Sequence, residues 1–109
     1  MAITINIYYS GKNGNAVKFA KEMISSGLVD TIRREKGNLR YDYFLPMDDS
    51  ETVLLIYGWK DQAALDAHHG LPLMEKISTL REKYNLRMRV ERYVTDESAP
   101  ERDKAFIRK

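Results

Sequence analysis

The seven residues Val53-Leu54-Leu55-Ile56-Tyr57-Gly58-Trp59 carry no charge and no strongly polar side chain. Successive side chains of a β-strand point to opposite faces, so a strand that is apolar at both parities must be covered on both sides and belongs inside a sheet. A chain of 109 residues has material for one core and for helices over one sheet face. The second face therefore calls for another subunit.

The surrounding periodicities supply the other elements. Ile3, Ile5, Ile7 and Tyr9 alternate with Thr4, Asn6, Tyr8 and Ser10, the pattern of a half-buried strand that the Gly11-Lys12-Asn13-Gly14 cluster ends. From Asn15, read as an N-cap, Ala16, Phe19, Ala20, Met23, Ile24, Leu28 and Ile32 form one helical stripe. Gly27 interrupts that stripe, which predicts either close packing on the sheet or a kink, and Gly37 is placed to close the helix in a left-handed conformation. A strand over 39–45 follows, with Leu39, Tyr41, Tyr43 and Leu45 on one face. After the central strand, Asp61 caps a helix running to His69, Pro72 starts another bearing Leu73, Ile77, Leu80 and Tyr84, and 87–93 reads as a last strand. The order is β-α-β-β-α-β, an α+β ferredoxin-like sandwich with helices on one face of a four-stranded antiparallel sheet. One domain over 1–95 is expected, with 96–109 as a polar tail that is disordered or packed on a partner subunit.

Composition removes several chemistries. There is no cysteine, so disulfides, thiolate nucleophiles and Cys-ligated metals are excluded, and two adjacent histidines on one helix do not converge on a metal. Neither a Walker loop nor GxGxxG is present to cradle phosphates, and a net charge of +2 is weak bait for nucleic acid or membrane. The strand 53–59 also lacks the Lys/Arg-Gly and alternating aromatics of an RNA-recognition sheet. The first residues lack the basic and apolar regions of a secretory signal, and no apolar run would span a bilayer, so the expected compartment is the cytoplasm.

Three residue types suggest a site. His68 follows Ala64 and Leu65 at a spacing that turns it inward on its helix, where it serves either as a buried, hydrogen-bonded core residue or as a proton-transfer group. His69 points about 100° away and faces solvent. Trp59 ends the apolar strand as a core aromatic or a pocket wall. Asn6 places an amide within a hydrophobic strand, where it needs a partner, water or an exposed edge.

The run Glu35-Lys36-Gly37-Asn38-Leu39-Arg40-Tyr41, the strand-end Trp59 and Ala64-Leu65-Asp66-Ala67-His68-His69 stand in the order of a known sparse pattern. Over 3–93 the chain resembles the antibiotic biosynthesis monooxygenase family of small dimeric α+β barrels. The resemblance implies a homodimer in which two sheets cover one another, with a pocket between sheet and helices in each subunit. It further implies cofactor-independent oxidation of a small aromatic or quinol by O2. His68 would be the proton acceptor, Asn6 and Trp59 would orient the ring, and Tyr41, Tyr57, Leu65 and Leu73 would line the pocket, with neither metal nor organic cofactor. Tyr57 stands where the family often has an acid, and Leu73 where it often has a second His. A proton-transfer isomerase and a ligand-binding module without turnover are the other readings.

Overall fold

A computed structural model describes residues 1–108. Its four-stranded antiparallel sheet has the order β2-β3-β1-β4, built from β1 (Ile3–Ser10), β2 (Asn38–Phe44), β3 (Thr52–Trp59) and β4 (Arg87–Val94). Helices α1 (Asn15–Ser25), α2 (Leu28–Arg33), α3 (Gln62–His69) and α4 (Leu73–Lys83) occupy the two crossovers. Each helix of the ferredoxin-like pattern is thus split in two, and the α+β class read from the sequence is the observed one.

Register decides which side chains meet. β1 pairs with β3 so that Ile5 faces Tyr57 and Ile7 faces Leu55, and β2 pairs with β3 so that Tyr41 faces Tyr57. These residues share the helix side of the sheet, where Ala16, Phe19, Ala20 and Met23 of α1 are buried against them at helical spacing. Trp59, Tyr9, Phe19 and Met23 have lost all contact with solvent, each contributing about 2 kcal/mol through burial. The opposite face carries Asn6, Tyr8, Leu54 and Ile56, and no helix among the described residues packs on it.

Of three local expectations, one is narrowed and two change. Gly27, at φ +85°, has no heavy atom within 4 Å of where a Cβ would stand. It therefore breaks the stripe into α1 and α2 through backbone conformation, not through close packing. Asn15 is the first residue of α1 rather than its cap, and its Nδ2 donates to the Tyr84 carbonyl at 3.0 Å, tying the start of α1 to the end of α4. A β-bulge between Asn38 and Arg40 lets Leu39 leave the face that parity assigns it, and it lies exposed. After β4, a 3₁₀ segment, Glu101–Phe106, is exposed along its length, and Lys109 of the polar tail lies outside the described residues.

Candidate active site

His68 reaches the interior because of what starts its helix. The Asp61 carboxylate accepts from the Ala64 amide at 2.9 Å, capping α3 and setting its rotation so that Ala64, Leu65 and His68 all turn to the sheet. His68 is 3% exposed. Its ring packs on Trp59, centroids 4.8 Å apart and planes 33° from parallel, with Tyr57 at 6.3 Å. His69 is exposed, as expected.

The partner of His68 is Glu35, which lies just beyond α2 in the turn leading to β2. Nδ1 lies 3.0 Å from each Glu35 carboxylate oxygen. A carboxylate only accepts, so Nδ1 carries the hydrogen and donates, and Nε2 is left with its lone pair. Among the described residues nothing hydrogen-bonds to Nε2. Burial lowers the His68 pKa below its ordinary value against the opposing pull of Glu35, with His69 and Arg81 lowering it further. The imidazole is therefore neutral at pH 7, held in one tautomer by an acid behind it, which is the arrangement of a general base.

Backbone geometry places that acid. Gly37 takes φ +87°, and its carbonyl accepts from the Lys60 amide at 2.8 Å, so the turn after α2 is clamped to the residue that follows β3. A Cβ at Gly37 would stand 2.6 Å from that of Ala64. The glycine thus permits both the left-handed turn and the approach of α3 that brings His68 to Glu35.

Beyond His68 the layer is aromatic. Tyr57 and Trp59 stand two residues apart on one face of β3, and Tyr41 packs across on Tyr57 with ring centroids 5.4 Å apart. Tyr43 follows at 5.9 Å from Tyr41. Burial holds all of these phenols protonated at neutral pH: Tyr57 is pushed up to about 12, and Tyr41 and Tyr43 rise as well. They are donors, not bases. Trp59 Nε1 and Tyr43 Oη are shielded from solvent with no partner among the described residues. On the far side Arg81 of α4 contacts Tyr9 Oη through Nη2 at 3.4 Å.

Of the sequence-derived candidates, Tyr41, Tyr57, Trp59, Leu65 and His68 meet in this layer, and Leu73 packs on its edge at the start of α4. Asn6 does not join them. It pairs with Ile56 and Glu91, which puts its side chain on the sheet face that has no helices, and its Oδ1 is shielded without a partner there. Glu35 and Arg81 escaped attention as site residues, although each left a trace. An acid just past a helix C-terminus opposes the helix dipole, and Arg81 follows Ile77 by four residues on the apolar stripe of α4. No group of three or more His, Asp or Glu among the described residues is placed to hold a metal ion.

The comparisons agree with this architecture. The sequence profile described as "Antibiotic biosynthesis monooxygenase" matches residues 2–79. "Putative monooxygenase YcnE" of Bacillus subtilis (strain 168) is 31% identical over 67 residues, 62% of this chain and 68% of that protein. Among solved structures, a "putative antibiotic biosynthesis monooxygenase" of Deinococcus radiodurans superposes with TM-score 0.76 at 18% identity, covering 92% of this chain and 97% of its own. SnoaB of Streptomyces nogalater, a cofactor-independent oxygenase, superposes with TM-score 0.73 at 14% identity, covering 92% and 98%. These two likenesses are of fold. The matched residues span Glu35, Gly37, Trp59 and His68, and the chain belongs to the antibiotic biosynthesis monooxygenase family.

Proposed function

We propose that the protein is a cofactor-independent oxygenase of an electron-rich phenol or quinol, with His68 as its base. The observation that carries this reading is the neutral imidazole buried on Trp59, with Nδ1 engaged by Glu35 and Nε2 free. Removing the phenolic proton leaves an electron-rich anion able to reduce O2 itself, so the protein need only bind, orient and take the proton. SnoaB, a cofactor-independent oxygenase on the same fold, supports it. Tyr57, Trp59 and Leu65, buried around His68, would offer a flat ring apolar and aromatic surface away from water.

The active form in this reading is a homodimer. Leu54, Ile56 and Tyr8 lie on a sheet face that no helix among the described residues covers, and the shielded Asn6 Oδ1 on that face has no partner among the described residues. A second copy would cover the first group and give the second a chance of one. No helix among the described residues is long and apolar enough to cross a membrane, and the cytoplasm remains the proposed compartment.

Oxygen uptake by purified protein over a panel of hydroquinones and naphthohydroquinones tests the reading. Saturable uptake without added flavin or metal is the expected result. Isomerisation or proton exchange without oxygen consumption would turn the same base to the isomerase reading, and saturable binding with neither would leave a ligand-binding module.

A further inference from the structure

The tail after β4 is hydrogen-bonded within itself and buries none of its side chains. It leaves the sheet where the Thr95 amide donates to the Ala2 carbonyl at 3.0 Å. Beyond that point every hydrogen bond of the tail among the described residues closes inside it: Ser98 to Asp96, Asp103 to Pro100, Lys104 to Glu101 and Ile107 to Lys104. Its 3₁₀ segment delivers two apolar side chains to solvent, Phe106 at 88% and Ile107 at 59% exposure. The Cα radius of gyration is 15.7 Å, against about 13 Å for a compact chain of this length, which fits a segment standing off the body.

An apolar groove with no occupant from the chain lies between α1 and the β2 edge of the sheet. Ala20, Ile24, Tyr43, Phe44 and Leu45 line it, with Lys21 beside them, and its volume is about 170 Å³. Apolar cavities of about 150 Å³ hold a benzene ring, so the groove suits one phenylalanine side chain. Phe44 pairs with Leu54 and shares the helix-free face with it, so the groove is continuous with the face assigned to the homodimer. The charges also match: Lys18 and Lys21 of α1 and Asp103 of the tail enter no ion pair among the described residues.

The tail is badly placed for the groove of its own chain. It leaves β4 beside Ile3, whereas the groove lies on the opposite edge strand and at the other end, next to Val53, which pairs with Tyr9. Three strand spacings and six residues along the strands separate these corners by about 25 Å through the body. Residues 95–100 extended and 101–106 in 3₁₀ form reach about 32 Å. The way over the helix layer adds about 10 Å on each side and is too long. The way under the sheet is closed by the other copy in the homodimer.

We propose that Phe106 of each copy fills this groove on the other, with Ile107 extending the contact over the exposed Ile24 and Leu45. The inference rests on the homodimer reading. A two-fold axis between two crossed sheets, running along the other diagonal, sets the groove corner of one copy over the tail corner of the other, and crossing near a right angle is one of the two ways in which sheets stack. The tail then passes one sheet separation of about 10 Å and turns the β2 edge, well within its reach.

The chain has no cysteine, so two introduced thiols report this contact alone. Ala105→Cys, beside the anchor, and Lys21→Cys, on the groove, are placed in one chain and treated with a short bismaleimide. The expected product on a denaturing gel has twice the 12.7 kDa chain mass, and neither single variant gives it. Phe106→Glu, which alters a side chain exposed in the single chain, should cut the yield at least about tenfold. In the protein without thiols it should raise the dimer dissociation constant by at least about tenfold, the effect of one lost aromatic burial per tail. A product of single chain mass would place the tail in its own groove, and no product would leave the groove to another occupant. Either result, or a yield and dissociation constant that Phe106→Glu leaves unchanged, overturns the proposal. Light scattering on the untreated protein separates the two readings: a dimer without the product keeps the sheet interface and removes the tail contact, and a monomer removes both.

Discussion

His68 and Glu35 stand 33 positions apart in the chain and meet through one ring nitrogen and two carboxylate oxygens, both at 3.0 Å. Glu35→Gln keeps the bulk, but its amide can offer an N–H to the ring as well as an oxygen, so the tautomer is no longer fixed. Turnover of an active quinol should fall about tenfold to a hundredfold, less than loss of the base itself. The imidazolium also loses its stabilising charge, so the acidic limb of the pH–rate profile should move to lower pH. A Glu35→Gln protein with native rate and an unmoved limb would show that Glu35 only packs there.

The lowered His68 pKa has a consequence for stability. Its main cause is burial, and below the ordinary histidine value of about 6.5 the unfolded chain binds a proton that the folded protein resists. The contribution is therefore full above pH about 6.5 and is lost as pH falls from there through the lowered folded-state pKa. Thermal unfolding midpoints should decline over that window, and His68→Gln should flatten the decline. A midpoint rising on acidification through the same window in the unmutated protein, absent from the variant, would mean that Glu35 outweighs burial.

Gly37→Ala combines a strained conformation, φ +87°, with a Cβ 2.6 Å from that of Ala64. Left-handed backbone costs about 1 to 2 kcal/mol for an ordinary residue, and the overlap adds to it by pushing α3 from the turn. Chemical denaturation should show a loss of about 2 kcal/mol or more. Gly14→Ala, with φ +74° and open space around it, should lose only the conformational part. Equal losses would mean that α3 yields freely and that Gly37 does not hold the distance between His68 and Glu35.

Much of this architecture could be read directly from residue order. Alternating Ile3, Ile5, Ile7 and Tyr9, the two-sided apolar run 53–59, the interruption at Gly27 and the cap at Asp61 each state a local rule that the fold obeys. The face of Asn6 was equally legible, because a residue between Ile5 and Ile7 must point away from them. Its polarity, not its parity, suggested the pocket. Glu35 was hidden for a different reason: it meets His68 only once β2 and β3 have brought the two crossovers together, and no local periodicity encodes such a contact. Arg81 shares the apolar stripe of α4 with Ile77 and Tyr84, yet its charge reads as a solvated face unless the stripe is given priority.

Dimerisation is tested on the helix-free sheet face. Ile56 pairs with Asn6 on one side and Asp42 on the other, so Ile56→Glu would put a charge near the middle of the proposed interface. Light scattering should give about twice the 12.7 kDa chain mass for the unmutated protein and about the chain mass for Ile56→Glu. An unmutated monomer at micromolar concentration would remove the barrel.

The base assignment is tested most directly by oxygen uptake with His68→Gln. Glutamine fills similar space and can still hydrogen-bond Glu35, so the fold and oligomeric state should hold, whereas turnover should fall by about 10² to 10⁴, the effect of removing one general acid–base group. In the unmutated protein the rate should rise with pH through a value below about 6.5, and His69→Gln, altering an exposed neighbour, should leave rate and profile unchanged. Full turnover by a folded His68→Gln protein would contradict the account.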